Sequence, residues 1–134
     1  MIRSLRIKVT TTGGAAVATG NATSRHIDGR LLAVVLYPHA SLPATSDTTV
    51  TLRNPDNDAD VETLATFTNL NAITKRYPRK EVDDGAGTSL AAANKTNVFT
   101  EFALSGQVKV AVAQADALTD AVTVDIIYDG EEIG

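Results

Sequence analysis

The sequence predicts an all-β fold: a single-domain β-sandwich or jelly-roll-like barrel of about eight or nine short strands. Three observations favour this class. Apolar residues recur at every second position in several segments, turn residues separate these segments roughly every 8–15 residues, and no segment has the pattern of a strong amphipathic helix. The length of 134 residues fits one domain spanning residues 1–134.

Composition excludes several classes of function. The chain has 12 Lys and Arg against 16 Asp and Glu, a net charge of −4, which disfavours a nucleic-acid partner. It has no Cys, so disulfides, a thiol nucleophile and thiolate zinc sites are ruled out. The longest apolar run, residues 31–37, is far shorter than the ~20 residues of a membrane span. The N-terminus alternates charged and apolar residues, unlike a signal peptide, so we expect cytoplasmic synthesis and no membrane association.

The N-terminal segments read as two strands. Residues 2–9 alternate, with a slip of phase near Ser4 that indicates a bulge. Gly13 and Gly14 then break the run, and residues 15–22 form a weak strand of small residues.

A central strand follows. Residues 26–37 begin with a turn at Asp28 and Gly29 and continue into residues 31–37, which are apolar on both faces. Such a run is typical of a strand covered on both sides, and Pro38 ends it.

The middle of the chain predicts a hairpin. Residues 48–52 alternate Thr with aliphatic residues, and residues 54–57 are a strong turn signal. Apolar residues in 61–70 recur at a spacing of three, which suits a helix, but the β-branched Thr content favours a strand with a twist or bulge.

The last strands complete the pattern. Residues 73–79 and 98–104 are candidate strands, separated by a loop at residues 83–94 with a helical turn at 89–93. Residues 108–112 and 122–128 alternate cleanly and are joined by a loop of hairpin length.

The acidic stretch around residue 58 suggests calcium ligation. Asp56, Asp58 and Asp60 alternate at a spacing that supplies oxygen ligands, but Val61 and Phe67 stand where an EF-hand needs Gly and Glu. A solvated hairpin turn is the favoured interpretation, and we expect no metal and no cofactor.

Catalytic residues are not expected. A triad of Ser41, His39 and Asp47 lacks the surrounding motif of a nucleophile, and the only other histidine is His26. The sequence therefore predicts no enzyme activity.

One basic cluster is the leading candidate for partner binding. Lys75, Arg76, Arg79 and Lys80 surround Tyr77 and suit an anionic or protein partner. The alternative is a solvated strand edge, whose charges prevent aggregation.

The two termini are predicted edge elements of opposite charge. Arg3, Arg6 and Lys8 make the first strand basic, and the tail at residues 128–134 is acidic. We expect the two to pair within one subunit or between neighbouring subunits of a symmetric oligomer.

Five segments carry a family resemblance: residues 1–10, 27–34, 43–52, 106–110 and 116–124. The order and spacing of their strands and turns resemble those of small virion structural proteins of tailed bacteriophages, of the kind that act as capsid decoration proteins. The resemblance implies no active site.

It does imply a role and partners: a protein that stabilises the head by binding its outer surface, with the major capsid protein as partner and a homo-oligomer, a trimer, as its assembly. A tail, fibre or baseplate binding domain is the alternative.

Overall fold

The structure, a computed structural model, describes residues 1–57, 59–81 and 99–133. All regular elements in these residues are β-strands, which confirms the all-β prediction. The nine strands are β1 (Ile2–Val9), β2 (Ala18–Pro38), β3 (Asp47–Asn54), β4 (Ala59–Phe67), β5 (Thr74–Arg76), β6 (Lys80–Glu81), β7 (Phe99–Thr100), β8 (Ala103–Ala115) and β9 (Val122–Ile133).

Seven of these strands form one antiparallel sheet that folds over to make a sandwich. Its order is β1-β9-β2-β8-β3-β4, with β5 added to β2, while β6 and β7 pair separately. Side chains from both halves of the sheet, among them Val124 and Leu36 from one and Val110 and Phe67 from the other, share one hydrophobic core. The described strands β1 and β4 do not pair with each other, so the sheet is not a closed barrel.

Strand β2 turns the corner between the two layers. It has 21 residues and pairs with β8 from Ala18 to Arg30 and with β9 from His26 to Pro38. The predicted turn at Asp28 and Gly29 is wrong, since both residues lie inside β2. Glycine suits this position because its φ is +150° and an added Cβ would lie 2.2 Å from the Asp129 carbonyl oxygen.

The number of described strands agrees with the prediction of eight or nine, but β8 with 13 residues and β9 with 12 are longer than the short strands expected. These two strands, joined by a loop of hairpin length, do not form a hairpin. They lie on opposite sides of β2. The apolar run of β2 is buried on both faces, as predicted, and lies between β9 and the short strand β5.

Strand β1 is regular. Its register with β9 runs without a shift from Ile2 opposite Asp129 to Val9 opposite Val122, so the predicted bulge near Ser4 is wrong. The slip of phase has a simpler cause: Ile2 is 68% exposed and lies on the outer face, whereas burial begins at Leu5, which is half-buried, and continues with Ile7 and Val9.

Some of the other predicted strands and turns are confirmed, and others have different bounds. Residues 15–17 are a turn, so the weak strand begins only at Ala18. The turn at 54–57 is confirmed, and β4 is a strand with two register shifts, one of which lies at Leu64, where the consecutive residues Leu64 and Ala65 are both buried. Strand β5 is shorter than the predicted strand at 73–79, since Pro78 follows it. The loop at 83–94, its helical turn at 89–93 and Val98 lie outside the described residues.

Candidate functional site

The basic cluster splits onto two faces. Lys75 places its Nζ atom 5.2 Å from the centre of the Tyr77 ring, a cation–π distance. Tyr77 is 61% exposed, and Ile73 at the start of the same segment is 72% exposed. These three residues form an exposed patch of apolar, aromatic and cationic side chains, which we call the β5 patch.

The other cations of the cluster contact the protein itself. The Arg76 guanidinium lies 4.5 Å from the centre of the Phe67 ring and donates to the Thr66 carbonyl oxygen. Through these contacts Arg76 connects β5 to β4.

Two further cations have similar roles. Arg79 donates to the Leu32 carbonyl oxygen at 3.2 Å, and Lys80 lies 2.7 Å from a carboxylate oxygen of Glu62. Of the four cations of this cluster, Lys75 is the one that the described contacts place in an exposed apolar patch.

Arg6 is held by a bidentate ion pair. Its Nε and Nη2 atoms donate to the two carboxylate oxygens of Asp125 at 2.8 and 2.9 Å, and its guanidinium lies 5.8 Å from the centre of the Tyr37 ring. The hydrogen bond to Asp125 and the attraction of that carboxylate raise the pKa of Arg6. Asp125 is 9% exposed, so the pair also neutralises a carboxylate that is largely removed from water.

The N-terminus and β9 are joined within one chain. The Met1 amino group lies 2.8 Å from Asp129, Arg30 contacts the same carboxylate at 3.0 Å, and Arg3 donates to the Gly130 carbonyl oxygen. The hydrogen bond from the Met1 amino group, followed by that from Arg30, lowers the pKa of Asp129. The predicted attraction between the basic and acidic termini therefore operates within the subunit.

The C-terminal segment is only in part the edge element that was predicted, because β1 lies beside it as far as Gly130. Asp129 lies between Ile2 of β1 and Arg30 of β2, and the residues up to Ile133 continue to pair with β2. A truncation at residue 129 would remove one of the two partners of β2 at the corner, so we expect it to lower the stability of the fold.

The acidic turn is closed by asparagine side chains. Asn54 accepts from the Asp56 amide at 2.9 Å and Asn57 accepts from the Ala59 amide at 3.2 Å, as in Asx turns. Asp60 lies 3.8 Å from Lys109, whereas Asp58 is outside the described residues. The described residues bring no three His, Asp or Glu side chains together for a metal ion.

The candidate triad is not assembled. His39 Nδ1 accepts from the Ser41 backbone amide at 3.0 Å, and Asp47 accepts from the Asn69 amide at 2.9 Å. Each group therefore has a local structural role. His26, the second histidine, lies 3.2 Å from Asp28 on β2.

Sequence reasoning missed a groove beside β1. A cavity of about 530 Å³ lies between β1 and the first half of β2, lined by Leu5, Arg6, Ile7, Lys8, Ala22, Thr23, Ser24 and Arg25. The alternation of β1 was visible in the sequence, but the separation of β1 from β2 depends on the strand order.

Comparison with protein-family models and with curated proteins finds no match for this chain. The described part of the chain contains no helix with the length and hydropathy of a membrane span.

Proposed function

We propose that this chain is a non-enzymatic structural protein of a tailed-bacteriophage virion, which decorates and stabilises the outer surface of the head. The resemblance of its strand and turn segments to capsid decoration proteins supports this role, and the β-sandwich is compatible with it. The proposed partner is the major capsid protein. The chain would be synthesised in the host cytoplasm and act on the virion.

The observation that carries the proposal is the β5 patch. Ile73 and Tyr77 are both largely exposed, and Lys75 lies over the Tyr77 ring. Aromatic and aliphatic side chains bordered by cations are typical of the centre of a protein–protein interface. Because a capsid lattice offers a large protein surface, this patch suits docking onto it.

The proposed assembly is a homo-oligomer, with a trimer favoured. The Met1 amino group and Arg6 pair with carboxylates of β9 in the same subunit, so the proposed contacts between subunits would use other surfaces. Light scattering measures the assembly directly, both in solution and after release from capsids.

Cosedimentation with purified capsids tests the role. We expect the wild-type chain to sediment with capsids, and Ile73→Ala and Tyr77→Ala to reduce the bound fraction. Val17→Ala is the matched control, since Val17 is 67% exposed in the turn before β2 and does not line the cavity that Tyr77 lines with β4. Absence of capsid binding, or equal losses in all three variants, would refute the proposal. Binding to purified tails or to a glycan array instead would assign the chain to the alternative tail, fibre or baseplate class.

A further inference from the structure

We propose that the free edge of β1 binds an extended peptide of a partner protein by β-strand addition, and that this peptide alternates apolar and acidic side chains. The inference goes beyond the proposed function, because it rests on the β1 edge and holds for any partner that carries such a segment.

Among the described strands, β1 pairs with β9 only, which leaves its other edge unpaired in this part of the chain. The Gly130 amide donates to the Met1 carbonyl oxygen. In an antiparallel pair the hydrogen-bonded positions alternate, so residue 1 and the odd positions after it bond to β9. Ser4, Arg6 and Lys8 therefore direct their peptide N–H and C=O groups away from the sheet, and no described contact satisfies these groups.

A groove lies directly beside this edge. The segment that follows β1 lies beside the start of β2 at the bridge between Thr12 and Thr19, where Gly20 approaches Thr10 so closely that a Cβ would lie 2.3 Å from its carbonyl oxygen. From there β1 and β2 separate, and among the described strands β2 pairs only with β8 as far as residue 25. The cavity of about 530 Å³ between them lies within the ~300–1,000 Å³ range of ligand sites.

The two faces of β1 define the chemistry of the peptide. Leu5 and Ile7 point towards the core, whereas Arg6 and Lys8 lie on the outer face. An added strand has the same alternation, so its apolar side chains would contact Leu5 and Ile7, and its outward side chains would lie next to the cations.

Charge selects an acidic peptide. The eight residues that line the groove include three cations and no carboxylate, in a chain whose net charge is −4. Arg6 is already paired with Asp125, whereas Lys8 is exposed and has no ion-pair partner among the described residues. Lys8 is therefore the cation that most directly favours an acidic side chain in the added strand.

Fluorescence anisotropy with a labelled probe peptide tests the proposal. The probe has the length of β1, 8 residues, and alternates valine and glutamate. The first control replaces glutamate with lysine, and the second keeps the sequence but carries N-methyl groups on alternate amides, in both possible registers. We expect the glutamate peptide to bind, and both controls to bind at least ~10-fold more weakly, since one loses the charge match and the other the strand pairing.

Protein variants locate the site. Lys8→Glu should weaken binding about 3- to 10-fold, whereas Lys75→Glu, the charge-matched control on β5, should leave it unchanged. Ser4→Pro removes an N–H that points to the free edge without breaking a bond to β9, and should also weaken binding. Thermal melting of each variant checks its folding. The N-methylated probes test the strand pairing on the wild-type chain, without any substitution in the protein.

Several results would overturn the proposal. These are no binding of the glutamate peptide, equal binding of its N-methylated forms, and equal losses in Lys8→Glu and Lys75→Glu. A self-associated chain that Ser4→Pro converts to monomers would identify a second copy as the occupant and also reject it. Peptide binding without capsid cosedimentation would instead reject the proposed function and support the β1 site.

Discussion

Two adjacent isoleucines of β9 provide a sharp test of the sandwich. Ile126 is fully buried in the core, whereas Ile127 lies half-buried on the outer face, opposite Ser4 of β1. Ile126→Ala removes three buried carbon atoms, worth ~0.8 kcal/mol each in transfer free energy, and leaves a cavity. We expect its free energy of unfolding to fall by about 2.5–5 kcal/mol.

Ile127→Ala is the matched control. It removes the same atoms from the same strand, but they are only partly removed from water and leave no closed cavity, so the expected loss is about 1 kcal/mol. Urea denaturation followed by far-ultraviolet circular dichroism measures both values. Equal losses, or a larger loss at Ile127, would show that the inward and outward faces of β9 have been assigned wrongly.

Three further predictions concern the corner, the core and the termini. Gly130→Ala should lower the free energy of unfolding by about 3 kcal/mol or more, because its Cβ would lie 1.9 Å from the Asp28 carbonyl oxygen; urea denaturation measures this loss. Thr48→Val should raise the free energy of unfolding, measured by thermal melting, by about 1 kcal/mol, because the buried Thr48 hydroxyl has no hydrogen-bond partner in the described structure. The pKa of Asp129 is lowered in the folded state, so its stabilisation is present above the unfolded pKa of ~3.9 and is lost as the pH falls through the folded pKa. The stability difference between the wild type and Asp129→Asn should therefore shrink below about pH 4 in a series of melts at decreasing pH.

Each of these predictions has a contrary result. Wild-type stability of Gly130→Ala would mean that the two backbones at the corner are farther apart than described. A destabilised Thr48→Val would show that the hydroxyl has a partner. A pH-independent difference for Asp129→Asn would mean that the ion pairs of Asp129 with Met1 and Arg30 do not stabilise the fold.

The candidate site could be predicted only in part. The basic cluster and the basic β1 strand were visible as charge patterns, because charge is a property of the residues themselves. Their contacts were not visible: Arg76 stacks on Phe67 of the preceding strand, and Arg6 pairs with Asp125 across 119 positions of sequence. The groove beside β1 was missed for the same reason, since it exists only where two strands separate in space.

The sequence by itself determined the all-β class, the apolar central strand and the bulged β4. Alternation, β-branched residues and a run that is apolar at every position are all local properties of the sequence. Only the tertiary structure decided the length and course of β2. An Asp-Gly pair has the same sequence whether it lies inside a strand or at a turn. Gly29 lies inside a strand because Gly130 pairs opposite it. The strand order could not be predicted from the sequence either. β8 and β9 lie on either side of β2. Hydrogen bonding between strands is non-local, so the length of the loop that joins β8 to β9 does not determine whether they pair.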